Sequence, residues 1–146
     1  MTPALLIDSS VLIKWFHSTG EGELSASRAL RSAHLAGLVD AYMLDLGLYE
    51  IGNVLLRSLH WSAADLADQL DDLRAICGTP LPTSAAWLRD AAELAELHSL
   101  TFYDAAWAAV ARGLRVPLVS ADRQLVDSGL AESPTAVAAR LRLPER

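Results

Sequence analysis

The chain has 146 residues, of which 52% are hydrophobic and 21% charged, with a net charge of −6 and one cysteine. This is enough chain for one domain with its own core, and it excludes a disordered polymer, a disulfide-stapled scaffold and, since no apolar run approaches the ~20 residues needed, a membrane-spanning helix. The acidic balance also argues against a protein that holds nucleic acid mainly by a basic surface, though not against a nuclease whose acids hold cations.

No basic segment follows Met1 and the apolar run "ALLI" is too short for a secretion signal, so a globular cytoplasmic protein is expected. Leu5 to Ile7 reads as a short strand, ended by Asp8-Ser9-Ser10 before a helix-compatible segment to Phe16. Glu21 and Gly22 lead into a helix from Glu23 to Ala36, closed by Gly37. "DAYMLDL", Asp40 to Leu46, reads as the second strand. A helix from Gly47 to Trp61 follows, with Leu48, Ile51, Leu55 and Leu59 on one face and Glu50, Asn53 and Arg57 on another. Ser62 caps a helix ending near Cys77-Gly78. The two prolines of "TPLPTS" make it an extended connection or an edge strand at most. A helix from Ser84 or Ala85 to His98 comes next, and then one from Phe102 to Arg112, capped by Thr101 and stopped by Gly113. "VPLVS", Val116 to Ser120, is a buried strand, and Ser133-Pro134 opens the last helix. Strands that alternate with helices, with no hairpin turns, imply an α/β three-layer α/β/α sandwich around a central parallel sheet, in one domain spanning residues 1–146.

In such sheets the site lies beyond the carboxyl ends of the strands, where Asp8 and Asp122 stand. Each acid also has a structural account. Asp8 or Ser9 serves as a helix cap, "SADRQL" reads as a capped turn around Asp122, Asp104 suits the helix dipole of a first turn, and Glu50 suits a solvated face. Together they say more. Asp8, Glu50, Asp104 and Asp122 can meet over one edge of the sheet, where like charges repel unless a cation neutralises them. Oxygen-only ligands favour magnesium or manganese over zinc, and a bound ion of that kind implies phosphodiester hydrolysis. Asp65, Asp68, Asp71 and Asp72, the densest acid group, lie opposite the leucines of one helix and read as a solvated face. The histidines His17, His34, His60 and His98 are scattered and read as surface or cap residues, Cys77 as a core thiol, and the four tryptophans as core or interface anchors.

"LLIDSSVLIKWF", "LYEIGNVLLR", "TFYDAAWAAVA" and "LVSADRQL", in that order, resemble the PIN-domain nucleases and within them the VapC toxins of bacterial toxin-antitoxin pairs. The resemblance spans nearly the whole chain. It implies a magnesium-dependent endoribonuclease with Asp8 and Asp104 as direct metal ligands, Glu50 and Asp122 completing the acidic pocket, and Ser9 and Ser120 supporting the ligands from behind. The implied reaction is attack of metal-activated water on RNA, leaving a 5′-phosphate and a 3′-hydroxyl. The resemblance also implies a small antitoxin that inserts an arginine or blocks the groove, and a homodimer, for which the helices from Ser62 to His98 offer apolar surface. RNA contacts are sought at Lys14, Arg57, Arg112, Arg115 and Arg123, and Asp127 is either a further pocket acid or plain surface. Two rivals keep the fold: a nuclease of RNA processing without a toxin role, and a catalytically inactive PIN-like domain that binds RNA or a partner.

Overall fold

The computed structural model describes residues 1–18 and 22–144; Glu21, expected to lead into the second helix, lies outside the described residues. Strand β1 (Ala4–Ile7) sits between β2 (Asp40–Tyr42) and β3 (Leu118–Val119), all parallel. Leu6 stands beside Tyr42 on one side and Leu118 on the other. Successive side chains of a strand point to opposite faces, and Leu5, Leu6 and Ile7 are each at most 1% exposed, so both faces of the sheet are covered, as expected of three layers. Single bridges widen the sheet at both edges, Leu81 beside Leu44 and Glu132 beside Val119. The first of these makes the proline-flanked Leu81 an edge position, as its neighbours require.

The helices are α1 (Ser9–Leu12), continued by a 3₁₀ turn (Ile13–Trp15), α2 (Leu24–Leu35), α3 (Asp45–Asn53), continued by a π turn (Val54–Ser58), α4 (Ala63–Cys77), α5 (Ala85–His98), α6 (Phe102–Leu114), α7 (Arg123–Asp127) and α8 (Pro134–Arg140). Their starts follow the capping residues of the sequence. Ser62, Ser84, Thr101 and Ser133 each accept from the amide three residues on, at 3.1–3.2 Å. At the end of α2, Gly37 takes φ +78° while the Leu38 amide returns to the Ala33 carbonyl, the left-handed stop expected of glycine.

Several boundaries differ from expectation, among them β3, which covers Leu118–Val119 and not Val116 to Ser120. β2 is shorter and α3 starts at Asp45, because Leu44 is already extended as the cap and its carbonyl receives the Gly47 amide. The same helix ends at Ser58 in a π turn, with the Leu59 amide reaching the Val54 carbonyl at 3.1 Å. Gly113 does not stop α6, which runs on to Leu114 before Arg115 turns left-handed. The glycine serves packing instead, since a Cβ there would overlap the Trp87 indole of α5. Nor is His34 a surface or cap residue. It is half-buried: the Ala41 amide donates to its Nδ1, so Nε2–H donates to the Ile76 carbonyl at 2.6 Å, tying α2 to β2 and α4. Cys77 is a buried core thiol, and burial pushes it up to about 12.

Candidate active site

Asp8 follows β1 at its carboxyl end, in extended backbone that opens α1, yet its side chain does not cap the helix. The carboxylate is instead 4% exposed, and Oδ2 accepts from Ser120 Oγ at 2.6 Å and Ser10 Oγ at 2.9 Å. Both hydroxyls are themselves held: Ser10 Oγ accepts the Ala121 amide and Ser120 Oγ the Asp122 amide, each at 3.0 Å. A hydroxyl that accepts from the backbone has its hydrogen free for the acid, so the loop after β3 and the start of α1 fix one carboxylate together. Burial pushes Asp8 up to about 6, and the charge of Glu50 adds to this, against the lowering effect of the serines.

Glu50 comes from the second turn of α3 and is half-buried. Its Oε1 accepts from Trp107 Nε1 at 2.7 Å and from Ser9 Oγ at 2.8 Å. Burial raises its pKa, with a further push from Asp104, while the two donors lower it. Asp104 stands in the first turn of α6, where its amide bonds Thr101 Oγ1. Its carboxyl is raised to about 6, first by burial and then by the charges of Asp122 and Asp8. Asp122 caps α7, Oδ1 accepting the Gln124 amide at 2.8 Å, so the capping account holds for it at the same time as its place in the site.

All four acids line one cleft of about 510 Å³, together with Ser9, Ser10, Lys14 and Val54. The serines placed behind the acids, Ser9 and Ser120, do bond to them, Ser9 to Glu50 and Ser120 to Asp8. Lys14, 9% exposed, is part of the wall, its turn held by Arg28 Nε on the Lys14 carbonyl and by Arg31 on the Trp15 carbonyl. Arg123 follows Asp122 directly, and Arg57 lies exposed on the π turn that Val54 opens. Arg112 and Arg115 do not join the acids. They sit at the far end of α6, about 12 Å along the helix from Asp104 in the case of Arg112. Asp127 is exposed at the end of α7 and is not part of the cleft wall, and Asp65, Asp68, Asp71 and Asp72 are all exposed on α4.

Two residues of the site escaped the sequence reading. Ser10 lies two places after Asp8, in the first turn of α1, and Trp107 lies three places after Asp104 on α6, one turn along the same face. Spacing was a usable signal in both cases.

Among the described residues no three His, Cys, Asp or Glu side chains stand close enough to cage a metal ion. The donor set still fits magnesium, which takes one or two carboxylates and keeps several waters, and a cation in the cleft would lower the proton affinity that burial and repulsion have raised at Asp8, Glu50 and Asp104. No histidine or cysteine among the described residues lines the cleft to offer a softer ligand. No described helix is long and apolar enough to cross a membrane.

The family model described as PIN domain matches residues 5–128. No curated protein sequence matches the chain. Among solved structures, the chain is similar to PAE2754 from Pyrobaculum aerophilum, at 24% identity over 97% of this chain and 98% of that one, with a TM-score of 0.66. It is also similar to a chain of a toxin-antitoxin complex from Klebsiella pneumoniae, at 18% identity over 89% and 97%, TM-score 0.62. FitAcB from Neisseria gonorrhoeae is similar at 17% identity over 90% and 98%, TM-score 0.61. At these identities the likeness is one of fold.

Proposed function

The chain belongs to the PIN domain family, and from that premise we propose that it is a single-domain, metal-dependent endoribonuclease acting as the toxin of a toxin-antitoxin pair. The observation that carries this reading is the gathering of four carboxylates from separate elements in one cleft, where burial and mutual repulsion push Asp8 and Asp104 up to about 6. Magnesium or manganese held there would polarise the scissile phosphoryl group and make a water more acidic.

The chain's own residues do the rest. Asp8 and Asp104 are assigned as direct ligands, with Glu50 and Asp122 completing the negative wall. Ser10 and Ser120 hold the Asp8 carboxyl through Oδ2, so its orientation is set before any ligand arrives. At neutral pH the acids must lie on the charged side of their titration to hold a cation, and values near 6 for Asp8 and Asp104 leave them there. No side-chain nucleophile is required. Lys14 in the wall, Arg123 beside Asp122 and Arg57 on the π turn are assigned to RNA phosphates, whereas Arg112 and Arg115 lie too far along α6 for a phosphate held at the acids.

The fold likeness to a toxin-antitoxin complex supports a small antitoxin as partner, and the net charge of −6 suits a basic inhibitory arm. Exposed Leu88 and Leu97 on α5 support a homodimer through that region, and the cytoplasm is the assigned place of action. The test is cleavage of a labelled structured RNA by the purified protein. Magnesium-dependent cuts bearing 5′-phosphates, lost in Asp104→Asn, are expected. Equal cutting in chelator sinks the mechanism, and normal growth on expression without a partner sinks the toxin role.

A further inference from the structure

We infer that Trp107 is a positioning residue for Glu50, and that its indole, with Ser9, commits one oxygen of this carboxylate to the protein so that the other alone serves the cation. The inference rests on the reading of the cleft as a cation site. Trp107 is fully buried in the middle of α6. A buried indole N–H usually finds an acceptor, and in a helix whose neighbouring positions are alanines the one Trp107 finds is a carboxylate on another helix, Glu50 Oε1 at 2.7 Å. Ser9 reaches the same atom at 2.8 Å, and among the described residues Oε2 accepts no hydrogen bond. Two donors on one oxygen leave a carboxylate with a single free oxygen, which favours one-point or water-mediated contact over bidentate chelation.

The indole is fitted to this place. A Cβ at Gly47, one turn before Glu50 on α3, would stand 3.2 Å from two ring atoms of Trp107 and 3.1 Å from Met43 Cε, so the absent side chain lets the ring slide under Glu50. Trp15, equally buried, shows the contrast: its Nε1 has no partner among the described residues. Burial of an indole in this fold therefore does not by itself bring a bond to an acid.

The test is a double-mutant cycle of Trp107→Phe and Glu50→Ala, read by calorimetric manganese affinity of the whole chain. Outer partners of metal ligands typically change affinity ~10-fold. Trp107→Phe is expected to weaken manganese binding about tenfold when Glu50 is present and to have no further effect in the Glu50→Ala background. Unchanged affinity in Trp107→Phe, or the same loss in both backgrounds, overturns the inference. A wild-type protein that binds no manganese instead sinks the cation reading itself. Should the phenylalanine variant not fold, the indole proton resonances of the otherwise native chain decide: Glu50→Ala must shift the Trp107 Nε1–H signal upfield far more than those of Trp15, Trp61 and Trp87, and a Trp107 signal that stays in place refutes the contact.

Discussion

Replacing Asp8 by asparagine should make the metal-free protein more stable at neutral pH, the opposite of what loss of a buried, doubly hydrogen-bonded side chain normally does. Burial raises the folded-state value from 3.8 to about 6, which disfavours the charged form by about 3 kcal/mol. Because the folded value lies above the unfolded one, this group costs no stability below pH 3.8. The penalty grows as pH rises through the interval to about 6, and it is fully felt above that. Asparagine never carries the charge. Its amide oxygen can take the place of Oδ2 for Ser10 and Ser120, whose hydrogens are committed to that side because their oxygens accept the Ala121 and Asp122 amides. Exchanging charge-assisted bonds for neutral ones returns about 1 kcal/mol of the gain. A net stabilisation of about 2 kcal/mol at pH 7.5 is expected in chelator, a shift of about 1 M in the urea midpoint, shrinking to nothing or reversing at pH 4. Urea unfolding of both proteins across that range reads it directly. An asparagine variant that is less stable at pH 7.5, or a difference between the two that does not change with pH, refutes the reasoning.

Manganese should raise the melting temperature more at pH 7.5 than at pH 5, since at the lower pH ions must first displace protons from Asp8 and Asp104; thermal scans with equal shifts at both pH values contradict this. Ser120→Ala removes the 2.6 Å donor to Asp8 and the acceptor of the Asp122 amide, so Asp8 should rise further above 6 and the variant should lose about 1–3 kcal/mol at pH 7.5, less at pH 4, in the same urea assay. Gly113→Ala, normally favourable within a helix, should instead destabilise by about 1–3 kcal/mol because the new methyl group meets the Trp87 ring; an unchanged urea midpoint says that α5 yields at no cost.

The order of elements was legible because strand, cap and stop signals are local: Thr101, Ser133 and Gly37 act through bonds within a few residues of themselves. Gly113 misled for the opposite reason. Its local meaning is a helix stop, and only Trp87, 26 positions earlier, gives it a packing role. The acids could be found because Asp8, Glu50, Asp104 and Asp122 fall at predictable places on strands and helices, and the fold brings them to one cleft. What the sequence withheld was how each carboxylate is held. The bond from Trp107 to Glu50 spans 57 positions and that from Ser120 to Asp8 spans 112, and no periodicity reports which of two buried tryptophans finds an acid. Arginine placement was also out of reach, since Arg112 follows Asp104 closely in sequence yet leaves the cleft along a rigid helix.

Soaking crystals of the chain in millimolar manganese and collecting anomalous diffraction data puts the cation claim to its most direct trial. A peak within the cleft, ~2.0–2.2 Å from a carboxylate oxygen of Asp8 or Asp104 with water filling the other positions, is the expected result. No peak in the cleft at saturating manganese, or one that touches only the exposed acids of α4, contradicts the account.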